Sequence, residues 1–254
     1  MRTLYQFPLS HFCEKARWLL DHKELEYVAQ NLTPGVHRAF AQLKTGQNQL
    51  PILRDEQRFI ALSTPIALYL DETYPEHTLL RSDPVLREQA LAIDHMSVEL
   101  GRYVRHWALA HTLKDGYESL DILIGEKGYL RQFEKYSKPL LRKWMAKNYP
   151  LGSEKLQHSQ QQMQQMVRQL NEQIIAQQGR YLVGDRLGLA DIAVCSMLAP
   201  ILQIEGTPWE HEQQIRCVDE FYLYQDQLRQ LPLGQYVLRI YQTERDARVD
   251  WRGI

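Results

Sequence analysis

Between Phe7 and Arg17 the chain reads Phe-Pro-Leu-Ser-His-Phe-Cys-Glu-Lys-Ala-Arg, a strand end, a tight turn and the first turns of a helix. This stretch fixes where the chain must change structure. Pro8 cannot continue a strand ladder. Ser10 is a favoured N-cap residue. Phe12, Ala16, Leu19 and Leu20 then recur at the spacing of an amphipathic helix ending near His22. The same stretch sets a hydroxyl, Ser10, and a thiol, Cys13, at the helix start. Exposed N–H groups and the helix dipole favour a thiolate at such a place.

The neighbouring segments follow a definite order. Thr3 to Phe7 and Glu26 to Gln30 read as strands. Pro34-Gly35 breaks the chain, and Arg38 to Leu43 reads as a short irregular helix. Ile52 to Arg54, a turn at Asp55 to Gln57, and Arg58 to Ile60 read as a hairpin. Thr64 to Tyr74 reads as a helix stopped by Pro75. The order is β-α-β, a loop helix, then β-β-α.

From about Asp83 strand-like alternation gives way to long helical periods. Pro84 to Thr112 is one long helix candidate, and 115–148 is a broken helical region containing Gly125, Gly128 and Pro139. Ser153 to Gln178 carries Leu156, Met163, Met166, Val167, Leu170 and Ile174 on one face. Its other face is rich in glutamine, which suits the outside of a packed helix. Leu189 to Ile204 is apolar nearly all round and reads as a buried helix. The expected organisation is an α/β unit over 1–80, a linker over 81–84 and an all-helical unit over 85–254.

Composition excludes some classes. Thirty basic against thirty-one acidic residues leave a formal charge of -1, whereas a nucleic-acid surface needs a basic excess. No run approaches the roughly 20 apolar residues of a membrane helix. Cysteines at 13, 195 and 217 show neither metal spacing nor a disulfide framework, so a reducing cytoplasm and no metal are expected. Met1-Arg2-Thr3 runs straight into a strand, so no secretory leader is expected.

Leu9-Ser10-His11-Phe12-Cys13, Leu50-Pro51-Ile52-Leu53 and Ser63-Thr64-Pro65-Ile66-Ala67-Leu68-Tyr69-Leu70 together resemble the soluble glutathione transferases. The likeness is to bacterial-type members with a Ser-type, theta- or omega-like motif. It implies an N-terminal thioredoxin-like domain followed by a C-terminal helical bundle. It also implies glutathione as co-substrate, an electrophile or peroxide as second substrate, and a homodimer. Ser10 would donate a hydrogen bond to the glutathione sulfur, a bond to a charged acceptor worth about 1.5–3 kcal/mol. The catalytic tyrosine of other classes would align with Gln6, and Tyr5 is one residue out of register. Cys13 is the alternative nucleophile, in a glutathione thiol reductase, or else a packed small residue.

The resemblance further implies a cis bond at Leu50–Pro51, with the Leu50 backbone pairing with the peptide ligand. Ser63 and the Thr64 amide would hold the γ-glutamyl carboxylate, although both also suit plain helix capping. The family sets an acidic residue or Gln before this Ser. Leu62 stands there and cannot accept a bond from the γ-glutamyl amine, which favours a catalytically weak binding module as the competing reading. His37 and Gln49 flank the glycine end of the ligand. His11 sits either beside the thiol or in solvent, and Arg17 is expected to anchor its helix through an internal ion pair. Tyr103, His106 and Trp107, on the helix after the linker, are the candidates for the electrophile pocket, or else core. Lys138, Arg142, Lys143 and Lys147 read as a solvated basic face. Gly188-Leu189-Ala190-Asp191 resembles the family's capping box, with Gly in place of the hydroxyl residue and Asp191 reaching back to the backbone. The stretch 110–155 has no counterpart in the resemblance.

Overall fold

The computed structural model describes residues 1–112, 152–210 and 219–254, with isolated positions at 135, 136, 139, 143, 147, 149 and 150. The N-terminal part runs β1 (Arg2–Gln6), α1 (His11–His22), β2 (Tyr27–Asn31), α2 (Val36–Thr45), β3 (Ile52–Asp55), β4 (Arg58–Ala61) and α3 (Ser63–Thr73). The sheet order is β2-β1-β3-β4. β1 lies parallel to β2, with Leu4 opposite Ala29, and antiparallel to β3, with Leu4 opposite Leu53. β3 and β4 form the expected hairpin. This is a thioredoxin-like unit.

Boundaries moved little. β1 ends at Gln6 because Phe7, Pro8 and Leu9 form the turn into α1, closed by the Ser10 N–H donating to the Phe7 carbonyl at 3.1 Å. α2 is a regular helix, longer than the short one expected, and is bracketed by Gly35 and Gly46.

The helical part contains α4 (Pro84–Thr112), α5 (Glu154–Ala176), α6 (Leu189–Leu202), α7 (Asp219–Gln230) and α8 (Pro232–Glu244). α4 keeps its expected bounds over 29 residues. Every residue of α6 is buried, as its uniform hydrophobicity demands. On α5 the apolar stripe faces inward and the glutamines are exposed or half-exposed. The sequence reading passed over α7 and α8. Their signal is Phe221, Tyr224 and Leu228, then Leu233, Tyr236, Val237, Ile240 and Tyr241, all buried at helical spacing. The helical region expected over 115–148 lies largely outside the described residues, as do Lys138, Arg142 and Cys217; Lys143 and Lys147 are exposed. Among the described residues no helix is long and apolar enough to cross a membrane.

One core cluster runs through both parts, from Leu4, Trp18 and Leu53 to Ile192 and Val237. α1 is its hinge, because it lies between the sheet and α6. That position buries the polar residues of α1 too: Glu14, Lys15, Arg17 and Asp21 are all inside.

α6 begins with the anticipated box. The Gly188 N–H donates to Asp191 Oδ2 at 2.9 Å. Gly188 is required by a close approach: a Cβ there would lie 2.8 Å from the Leu79 carbonyl oxygen. That carbonyl is the acceptor of the Leu189 N–H at 2.9 Å, so a hydroxyl residue would push the inter-domain segment off the helix start.

Candidate functional site

Ser10 is the N-cap of α1, with φ −92° and ψ 114°. Its Oγ accepts the Cys13 N–H at 3.3 Å. That bond uses a lone pair, so the hydroxyl proton stays available for an acceptor outside. Ser10 is half-buried, at the surface end of the helix. Capping and donation are therefore compatible, and the capping reading does not displace the chemical one.

Cys13 is fully buried, packed with Ala41, Leu50 and Ile52. Its sulfur accepts the Phe7 N–H at 3.5 Å. Burial pushes the thiol pKa up, against the pull of Ser10, the backbone and Arg17. A buried thiol with a raised pKa suits the packing alternative for Cys13.

His11 is not in solvent. It is buried, and its Nε2 lies 2.9 Å from the Gly101 carbonyl on α4. A carbonyl can only accept, so Nε2 carries the proton. Burial and then Arg105 push the imidazole pKa down to about 3, so the ring is neutral. Gly101 is tight by necessity, since a Cβ there would meet Met197 and Phe12.

Gln6 is buried and structural: it accepts from Arg17 and donates to Asn31 Oδ1 at 3.1 Å. Tyr5 packs on Phe40, 4.6 Å between ring centroids, on the other side of β1. Arg17 makes the expected internal pair, 2.8 Å to Glu14 Oε2.

The Leu50–Pro51 bond is cis. The Pro51 carbonyl accepts the Leu62 N–H at 2.9 Å, which ties the entry of β3 to the start of α3. Leu62 adopts φ +71°, a sparsely populated region for a γ-branched residue, and provides no side-chain cap. The first N–H groups of α3 thus lack a side-chain acceptor, the arrangement that suits an anion. Ser63 is buried at that start. The Thr64 hydroxyl turns inward: it accepts from Lys15 Nζ at 3.2 Å and donates to Asp94. Lys15 and Asp94 form a fully buried ion pair between α1 and α4, and burial lowers the Lys15 pKa. This trio was not foreseen; a Lys in the first turns of an amphipathic helix carries no sign of burial. His37 Nδ1 accepts the Gly35 N–H at 3.1 Å, and its ring stands edge-on to Phe7 at 4.7 Å. Gln49 is exposed. Shared neighbours thus connect the N-terminal candidates: Leu50 packs with Cys13 below Ser10, His37 packs on Phe7, and Lys15 joins α1 to Thr64.

The three aromatic positions on α4 do not line one surface. Trp107 is 0% exposed, stacked on Phe221 at 5.2 Å and edge-on to Tyr224, which suits the core alternative for this position. A long helix packed against α5, α6 and α7 leaves little room for a free aromatic face. His106 is also buried, with Nδ1 2.8 Å from Ser159 Oγ. Tyr103 stays half-buried, edge-on to His158 at 6.1 Å. Among the described residues no cluster of His, Cys, Asp or Glu could hold a metal ion.

A thioredoxin-like unit with an open hydroxyl at its first helix, a cis-proline turn and an uncapped third helix, joined to a helical unit, defines the class of two-part glutathione-transferase folds. The family models described as "Glutathione S-transferase, N-terminal domain" and "Glutathione S-transferase, C-terminal domain" match residues 4–78 and 137–222. The chain belongs to the glutathione S-transferase family. The second match begins inside the stretch 110–155, which the sequence resemblance had left without a counterpart. No curated protein matches the sequence. Solved structures share the fold at low identity. A glutathione S-transferase from Rhodospirillum rubrum F11 is 21% identical with TM-score 0.56, covering 98% of this chain and 96% of that one. The β-etherase LigF from Sphingobium sp. strain SYK-6 is 20% identical with TM-score 0.59, covering 94% and 98%. A glutathione S-transferase of Ceriporiopsis subvermispora in complex with glutathione is 16% identical with TM-score 0.62, covering 98% and 99%.

Proposed function

We propose that this chain is a glutathione-using transferase in which Ser10 ionises the glutathione thiol for attack on a small electrophile or a peroxide. The observation that carries this reading is the Ser10 hydroxyl at the N-cap of α1: accepting the Cys13 N–H uses a lone pair of its oxygen and not its proton. Donation to a sulfur stabilises the thiolate by about 1.5–3 kcal/mol, one to two pKa units. The thiol proton leaves to solvent. The thiolate then forms the new bond to carbon or oxygen as the leaving group departs.

In this reading glutathione lies on the unit spanning 1–80. The Leu50 backbone pairs with its peptide, and the open amides at Ser63 and Thr64 take the γ-glutamyl carboxylate. His37 and Gln49 stand at its glycine end. The segment 81–84 links to the helical unit over 85–254, from which Tyr103 meets the second substrate. A cytoplasmic homodimer without a metal completes the proposal. The decisive experiment is Ser10→Ala. The fold should be kept and turnover of an aryl halide should fall at least about tenfold, the loss of one such bond in the transition state. Unchanged turnover would remove Ser10 from the chemistry.

Leu62 favours a second reading, a binding module with weak catalysis. Its side chain offers no acceptor where a positive-φ residue leads into α3. We expect Leu62→Gln to tighten glutathione binding severalfold, because a bond to the ligand's ammonium is worth up to about 1.5–3 kcal/mol. Calorimetry on both forms checks this; equal dissociation constants would mean that another group already holds the amine.

A further inference from the structure

After α8 the chain turns back at Arg245 and runs along the thioredoxin-like unit to Ile254. Its first residue enters a buried charge network. Arg245 Nε donates to Glu14 Oε1 at 2.9 Å and Nη1 to Asp21 Oδ2 at 2.8 Å, and its guanidinium lies 5.4 Å from the Trp18 ring centroid. The other oxygen of Glu14 accepts Arg17 Nε at 2.9 Å. Arg17 also donates to Gln6 Oε1 and, at 3.4 Å, to the Pro8 carbonyl. Two guanidinium groups thus face two carboxylates with almost no solvent access. Arg245 and Arg17 overcome burial to hold the Glu14 carboxyl down at about 2.

The far end of the tail reaches the same residues from the other side. Gln6 Nε2 donates to the Trp251 carbonyl at 3.0 Å, and Asn31 Nδ2 to the Arg252 carbonyl at 2.6 Å. The Ile254 N–H donates to the Ala29 carbonyl at 2.9 Å, and the Asn31 N–H to the Ile254 carbonyl at 2.8 Å. These last bonds close the outer edge of β2. Gly253 makes the approach possible: at φ +61°, a Cβ would lie 2.7 Å from the Ala29 carbonyl oxygen.

Both ends of the tail therefore converge on Gln6 and Arg17. Those two residues brace β1 and the Pro8 carbonyl, two residues before Ser10. We propose that the segment Arg245–Ile254 is a strap that positions Ser10, with Arg245 and Gln6 as positioning residues acting through Glu14 and Arg17. None of these bonds is made to Ser10 itself. The strap acts by fixing the turn that holds the hydroxyl. The consequence for thiol activation rests on the Ser10 reading above; the mechanical part does not.

Hydrogen exchange on the full chain separates the two. Gly253→Val should free the end of the strap, so that the Asn31 and Ile254 amides lose protection. The Ser10 and Cys13 amides should then exchange about threefold faster or more, while amides within α6 keep their rates. Arg245→Lys keeps the charge but cannot fork to two carboxylates, and should give the same change at Ser10 and Cys13. With glutathione bound, the ultraviolet absorbance of the thiolate against pH should show a thiol pKa about half a unit higher in both variants, with the dissociation constant within about twofold. Release of Asn31 and Ile254 with no change at Ser10 and Cys13 overturns the strap. So does equal loosening of α6, which would make the tail a global brace. A parent protein that takes up no glutathione would sink the Ser10 chemistry, and the exchange rates would still decide the strap.

Discussion

Asp191→Ala is expected to destabilise the protein by about 4 kcal/mol, because it strands three buried donors at about 1–3 kcal/mol each, less than additively. The Asp191 carboxylate is wholly buried. Oδ1 accepts the Leu182 N–H at 2.7 Å and also the Tyr236 hydroxyl, and Oδ2 accepts the Gly188 N–H. One side chain thus joins the loop before α6, the first turn of α6 and the middle of α8. Burial pushes its pKa up to about 6, yet it is ionised at neutral pH and all three donors serve the charged form. Asn at this position keeps one acceptor oxygen but turns an N–H toward the Gly188 N–H, so Asp191→Asn should fall between parent and Asp191→Ala. Urea unfolding at neutral pH measures both. A loss below about 1 kcal/mol for Asp191→Ala would mean that water replaces the carboxylate, and the box would be a local cap only.

That result would bear on what can be read from residues alone. The box was legible because its two partners are three residues apart. The Tyr236 hydroxyl was not, because nothing local connects it to a carboxylate in a different helix. The same division holds at the N-terminal end. The β-α-β, β-β-α order follows from local alternation, helical spacing and breakers, all short-range. Ser10 at the helix start follows too. The burial of Glu14, Lys15 and Asp21 does not follow, because a helix face of charged residues reads as solvated until its partners are known. Those partners are Asp94 on α4 and Arg245 beyond α8. The surroundings of Trp107 were hidden for a related reason. Aromatic spacing on a long helix does not say which of several packed neighbours it meets, and here Phe221 and Tyr224 on α7 enclose it.

His11 carries the second large expectation, a loss of stability in mild acid. The neutral ring donates to the Gly101 carbonyl and fills the contact between the start of α1 and α4. Its folded pKa is about 3, below the ordinary 6.5, first from burial and then from Arg105. A depressed pKa means that the unfolded chain binds a proton which the folded chain refuses. The stabilising contribution is therefore complete above about 6.5 and is lost as pH falls toward about 3, at about 1.4 kcal/mol per pH unit. Between pH 6.5 and 4.5 that amounts to about 2–3 kcal/mol. His22, lowered to about 4 by burial first, adds to the fall. Asp191 opposes it: its raised pKa gives a contribution that is full below its ordinary 3.8 and is lost as pH rises through about 6. The comparison that isolates His11 is with His11→Gln, whose amide can still donate to the Gly101 carbonyl and does not titrate. Urea midpoints taken from pH 7 to pH 4.5 should fall less steeply in His11→Gln, by about one proton's worth of slope. Parallel curves would show that the His11 ring takes up a proton inside the folded protein, which would require the contact between α1 and α4 to open at the very residue next to Ser10.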